Sequence, residues 1–144
     1  MFWRASLFIH PPPGLAVDSI NKVLYVADYN NNRVVTFRST DGRQVRKFGR
    51  PGNGHGELSY CWSVVHDPRT NLLFVSDCGN HRIVVFRAAT GECLRTFGSA
   101  GVGEGQLRFP EGVCGWGLVA QSEIVTAAVA LRPCMFAVFT LTFY

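Results

Sequence analysis

Short apolar runs separated by polar turn residues recur through the first 110 residues of the chain. The first set lies at 15–17, 23–27, 33–38 and 44–48, and the second at 64–66, 72–76, 82–87 and 93–97. These runs are rich in Val, Leu, Ile, Phe and Tyr, which suit a half-buried pleated surface. Asp, Asn, Ser, Thr and Gly stand between them, at 18–21, 30–32 and 40–42 and again at 67–71, 79–81 and 90–91. Such residues close tight turns by bonding nearby backbone or by tolerating positive φ. Nothing in this stretch has the 3.6-residue period of an amphipathic helix. The pattern predicts short strands throughout.

The two sets are copies of one another. "VADYNNNRVVTF" (26–37) aligns without a gap on "VSDCGNHRIVVF" (75–86), at an offset of 49 residues. The match extends over 14–49 and 63–98, and on through "RPGNGHGEL" (50–58) and "SAGVGEGQL" (99–107). A third copy opens at "FPEGV" (109–113) and then loses the resemblance. Four short antiparallel strands in each repeat of about 40–50 residues predict a propeller blade. One blade cannot bury both faces of its sheet, and stacking blades around an axis solves that. The expected fold is therefore all-β, a partial β-propeller. Its parts are a lead-in at 1–11, blades at 12–58 and 59–107, the start of a third blade at 108–114 and a divergent apolar tail at 115–144.

The repeated stretches, each followed by "FG" and a Gly-rich loop ending "GEL" or "GQL", resemble NHL repeats over roughly residues 12–114. The Asn-His-Leu triplet that names that family reads Asn31-Asn32-Arg33 and Asn80-His81-Arg82 here. Arg is a common variant at its third place. The resemblance implies four-stranded antiparallel NHL-type blades. It also implies a ring of about five or six blades, longer than this chain supplies. By that reading the chain is a fragment or must assemble with other chains, and self-association through exposed blade edges is expected.

Asp28, Asn31 and Arg33 recur as Asp77, Asn80 and Arg82. A catalytic residue is needed once per site, whereas a residue present in every copy is part of the scaffold. The expectation is a hairpin turn in which Asp and Asn bond the turn's backbone amides and Arg pairs with the preceding Asp. His81 has Asn32 as its counterpart and reads as incidental. The Gly-rich loops lack the spacing and the following helix of a phosphate loop. They read as crossings between blades, where Gly supplies positive φ.

His10, His55, His66 and His81 do not repeat and have no metal-ligand spacing. His66, at the end of a predicted innermost strand, is the one hint of a channel-facing catalytic or metal group, and the structural reading is preferred. No catalytic residue, metal site or cofactor is assigned.

Composition adds one asymmetry and one compartment clue. The net charge is +4, which permits an acidic or nucleic-acid partner without demanding one. The excess concentrates in "RSTDGRQVRKFGR" (38–50), where Arg38, Arg43, Arg46, Lys47 and Arg50 face Asp41. The second copy lacks this excess, so the repeat does not require it. The run is a candidate phosphate-binding patch or else a charged outer strand. Phe37 and Phe48 recur as Phe86 and Phe97 and read as core rather than as base-stacking platforms. The five Cys are scattered without a C-x-x-C pair, which argues against zinc modules and favours free thiols in the cytoplasm.

The N-terminal stretch lacks the apolar length and cleavage site of a secretory signal. Residues 124–144 are apolar enough to raise a membrane span, but Arg132-Pro133 at the middle disfavours it. The preferred expectation is that the third blade is truncated and this tail is foreign to the repeat, with a diverged strand segment as the second reading. The function expected overall is non-catalytic. A protein partner is favoured, and the finer expectation is that the module is the substrate-binding part of a ubiquitin-ligase-type protein. RNA binding through the 38–50 surface is one alternative. A fragment of a metal-dependent propeller enzyme, such as a peptide-amidating lyase, is the other.

Overall fold

The computed structural model describes residues 14–115, 124–131 and 135–142. The lead-in, with the signal-peptide question and His10, lies outside these residues. Two four-stranded antiparallel meanders follow one another. The first comprises β1 (Leu15–Asp18), β2 (Val23–Asp28), β3 (Arg33–Arg38) and β4 (Gln44–Phe48). A short parallel pair, β5 (Arg50–Pro51) with β6 (Glu57–Leu58), closes the crossing loop. The second meander comprises β7 (Cys61–Asp67), β8 (Leu72–Asp77), β9 (Arg82–Arg87) and β10 (Cys93–Phe97).

A third sheet follows, formed by the start of the third copy and part of the tail. Strand β11 (Gly112–Gly115) pairs with β12 (Ile124–Leu131), and β12 pairs with β13 (Met135–Thr142), all antiparallel. Arg132 and Pro133 lie outside the described residues. The apolar composition that raised a membrane span forms sheet instead. No helix among the described residues is long and apolar enough to cross a membrane.

The sheets stack face against face, and alternation along each strand fixes which residues meet. From the first sheet, Ala16, Tyr25, Ala27 and Val34 pack against Val64, Leu73, Val75, Val84 and Phe86 of the second. The opposite face of the second sheet, with Phe74, Ile83 and Val85, packs against Val113 of β11 and against Leu107. The middle sheet is thus buried on both sides, which explains the unbroken apolar runs "LLFV" and "IVVF" in its two central strands.

The outer face of the first sheet has no such cover among the described residues. Leu73, Val75 and Phe86 are at most 1% exposed, while their repeat counterparts Leu24, Val26 and Phe37 are only half-buried. Leu15 and Val17 on that face are each 56% exposed.

Two polar residues inside the stack are satisfied locally. Thr36 Oγ1 accepts the Arg46 N–H (3.0 Å) at a bulge between β3 and β4. Ser76 Oγ accepts the Ser63 N–H (2.8 Å) at a separate irregularity between β7 and β8. Backbone conformation repeats with the sequence. Gly49 and Gly98 have φ of 85° and 92°, and a Cβ there would stand 2.8 Å from Leu58 Cδ1 and 2.6 Å from Leu107 Cδ1. Each glycine lets the leucine that ends a crossing loop sit against the chain.

The burial difference predicts unequal costs for equal truncations. Leu73→Ala should lower the unfolding free energy by about 3 kcal/mol, and Leu24→Ala by well under half of that. Urea midpoints of the two variants check this, and equal midpoints would contradict the packing.

Candidate functional site

The repeated polar motif sits at the β2–β3 and β8–β9 turns. Each turn is a single 3₁₀ turn, Tyr29–Asn31 and Cys78–Asn80, followed by a left-handed residue, Asn32 (φ 53°) and His81 (φ 56°). Asp28 and Asp77 precede the turns but make no side-chain bond to the turn amides, which corrects that part of the expectation. Their carboxylates take side chains instead. Asp28 accepts from Asn31 Nδ2 (2.9 Å) and Arg33 Nε (2.8 Å). Asp77 accepts from Asn80 Nδ2 (2.8 Å), Arg82 Nε (2.7 Å) and the Ser59 N–H (2.6 Å).

In the second sheet the motif reaches further and clamps the crossing loop. Arg82 Nη1 donates to the Asn53 carbonyl (2.8 Å). Its Nη2 donates to the carbonyls of Gly54 (3.0 Å) and Glu57 (2.9 Å). Asn80 Nδ2 donates to the Gly52 carbonyl (2.8 Å). One fully buried carboxylate therefore orients a guanidinium whose planar fork holds three carbonyls of the preceding loop. In the first sheet the same triad is more open, with Arg33 34% and Asp28 24% exposed against 14% and 0% for Arg82 and Asp77. The terminal nitrogens of Arg33 bond nothing among the described residues.

The loop amides are already engaged. Glu57 Oε2 accepts the Gly54 N–H (2.8 Å), and Gln106 Oε1 accepts the Gly103 N–H (2.9 Å) at the equivalent place. The Gly54 N–H and then Arg50 (3.0 Å) hold the Glu57 carboxyl below its usual range. An inward-facing carboxylate is the reverse of a phosphate cradle.

Sequence reasoning missed a set of aromatics on the same rim. Tyr29 lies against Tyr60 (5.2 Å between ring centroids) and edge-on to Trp62 (5.2 Å). One repeat on, Phe109 stands at the place of Tyr60 and stacks with His81 at 4.3 Å. Tyr60 and Phe109 are 52% and 49% exposed. Burial, then the neighbouring Cys78, Tyr60 and Glu111, raise the Tyr29 hydroxyl above its ordinary pKa.

His81 is not incidental. Asn32 Oδ1 accepts the Tyr60 N–H (2.6 Å), and His81 Nδ1 accepts the Phe109 N–H (3.2 Å). Asn and His alternate at one position because both offer an acceptor at the same reach. That shared acceptor was the available signal, hidden because neither aromatic lies inside the quoted motif.

His66 is placed between the first two sheets, not on an open channel wall. Its side chain is 3% exposed. Its ring lies 5.4 Å from Tyr25 and bonds Asn71 Oδ1 (3.1 Å). Asp18 Oδ2 stands 3.8 Å away. Burial pushes the Asp18 carboxyl up, but the backbone and side chain of Asn21 and the His66 charge outweigh it and leave its pKa lowered. No group of three metal-ligating side chains occurs among the described residues.

The basic run does not form one patch. Asp41 takes Arg38 (2.9 Å) and Arg43 (3.7 Å), and Glu57 takes Arg50 (3.0 Å). Arg46 turns toward the second sheet and donates to the Ala89 carbonyl. Lys47 stands opposite Val35, on the other face of the same sheet. Cys61, Cys78 and Cys93 form no disulfide among the described residues. Burial pushes the Cys61 thiol up to about 12, with a backbone hydrogen bond of Arg33 working against it and Asp77 and Asp28 adding to it.

Comparisons with known proteins agree on architecture. A family model described as a 6-bladed beta-propeller matches residues 15–99. No curated protein sequence matches the chain. Saccharomyces cerevisiae Sqt1 is similar in structure with a TM-score of 0.63 at 16% identity, over 91% of this chain and 31% of that one. Kuenenia stuttgartiensis hydrazine synthase is similar with a TM-score of 0.67 at 11% identity, over 97% of this chain and 36% of that one. The chain thus spans about a third of each of these structures.

Two outcomes test the site. Arg82→Ala strands a buried carboxylate and should cost about 3–5 kcal/mol, whereas Arg33→Ala should cost below about 1 kcal/mol, because its ion pair is solvent-screened. Denaturant titration of both variants reads the difference. Only a thiolate attacks maleimide, so at pH 8 the Cys61 thiol should label only when the protein unfolds. Mass spectrometry of digests after timed labelling would show rapid modification if the burial were wrong.

Proposed function

The chain belongs to the 6-bladed beta-propeller family, and from that premise we propose that it is a non-catalytic module whose rim recognises another protein. The observation that carries this reading is the cluster of Tyr29, Tyr60 and Trp62, with Phe109 one repeat on. Partly exposed Tyr, Trp and Phe held at turns and strand ends are what protein interfaces use as anchors, since large rings bury much area and lose little rotamer freedom. The repeated Asp, Asn and Arg residues support the same reading, because their side chains are directed at one another and, in the second sheet, at the crossing loop.

The blades are best read as the NHL type, on the strength of "VADYNNNRVVTF" and "VSDCGNHRIVVF" and the loops that follow them. Within that type, the substrate-recognising part of a ubiquitin-ligase-type protein is the reading we favour. RNA is the second reading, supported by the exposure of Arg38 and Arg43, at 54% and 80% of their side chains.

The two readings separate by mutation. Tyr60→Ala with Trp62→Ala should abolish most capture of partner proteins from lysate, while replacing Arg43, Arg46 and Lys47 together with Glu should leave it within about twofold. Loss of binding to labelled single-stranded RNA in the triple-Glu variant, with protein capture unaffected by the aromatic changes, would reverse the assignment.

A further inference from the structure

The rings at the junction of the first two sheets go beyond what the repeat requires. Tyr29, Tyr60 and Trp62 have Cys78, Phe109 and Glu111 at the same places one repeat on. Only the place of Tyr60 keeps a ring in both copies. Tyr29 and Trp62 are departures from the shared scaffold, and they extend the shared ring into a cluster.

The packing of the rings narrows what they can take. The Tyr29 centroid lies 5.2 Å from that of Tyr60 and 5.2 Å from that of Trp62. Rings that close fill the space between them, so a compact ammonium finds no cage to enter. What they offer is outward ring area, and Tyr60 is 52% exposed. A flat group fits such a surface by stacking. Among side chains the guanidinium of arginine is flat, weakly hydrated and attracted by the negative face of a ring. The next junction shows a flat nitrogen-bearing group in this role, where the His81 ring lies 4.3 Å from Phe109. At the first junction Asn32 stands at the place of His81 and brings no ring.

Charge agrees with this. The negative charge of Glu111 acts on the Tyr29 hydroxyl. It favours an incoming cation over a stacked nucleotide, whose phosphate it would repel. We propose that Tyr29, Tyr60 and Trp62 receive an arginine side chain of the partner protein, its guanidinium stacked on the exposed ring of Tyr60. The inference rests on the reading of this rim as a protein-binding surface and names the chemistry that the surface selects.

NMR titration of the 144-residue chain with N-acetyl-arginine amide tests this, read at the indole N–H of Trp62, whose cross-peak is the one lost in Trp62→Phe. A saturable shift is expected. N-acetyl-citrulline amide, a neutral mimic of the same shape, should bind at least about threefold more weakly, and so should adenosine monophosphate. Tyr60→Ala should abolish the shift, while Tyr60→Phe should keep the affinity within about twofold. Far-UV circular dichroism of both variants should match that of the parent chain. No saturable shift with the arginine amide overturns the proposal. So does citrulline or adenosine monophosphate binding as tightly as arginine, or a shift that survives Tyr60→Ala. Capture from lysate that is lost in the Tyr60→Ala, Trp62→Ala variant, without any arginine-dependent shift, overturns the choice of arginine and leaves the surface standing. Capture that survives that variant overturns both.

Discussion

A four-stranded sheet with apolar residues on both faces cannot be stable in water by itself. Every other feature here follows from meeting that requirement by stacking. The middle sheet meets it on both sides, and its central strands are apolar at nearly every position as a result. Among the described residues, the first sheet meets it on one side only. Lys47, opposite Val35, falls on the face left without a neighbouring sheet among those residues. Stacking also requires the chain to cross from the outermost strand of one sheet to the innermost strand of the next. The glycine-rich loops make that crossing, and the buried Asp77 with Arg82 and Asn80 fastens one of them.

Much of this was legible in the sequence. The 49-residue offset gave four strands per repeat, and β3, β4, β9 and β10 fall on the residues expected for them. Strand periodicity and turn chemistry are local properties, so they survive in one dimension. The loop clamp was not legible, because Arg82 meets Gly54 and Glu57 only after the chain has doubled back. The role of His81 was hidden by comparing residue names rather than hydrogen-bonding capacity, which Asn32 and His81 share. The aromatic rim was not legible either, because Tyr29 lies in the β2–β3 turn, about thirty residues before Tyr60 and Trp62 at the start of β7, and the fold alone brings them together.

The tail and the basic run show two limits of a one-dimensional reading. Residues 124–131 and 135–142 lack the repeat's motif but have strand-forming composition, and they form strands. The run at 38–50 looked like one patch because its charges are close in sequence. A strand sends alternate side chains to opposite faces, so Arg46 and Lys47 part company.

The double coverage of the middle sheet has a consequence for how the molecule opens. In a linear stack each unit is stabilised by its neighbours, so end units fray at lower cost than interior ones. Strands β8 and β9 cannot be exposed to solvent until a flanking sheet has detached. Their backbone amides therefore exchange with solvent only through the largest opening the molecule makes, whereas those of β1 exchange through a local one. The order in which the repeats lie along the chain thereby becomes an order of kinetic protection, set by topology more than by the strength of any single contact.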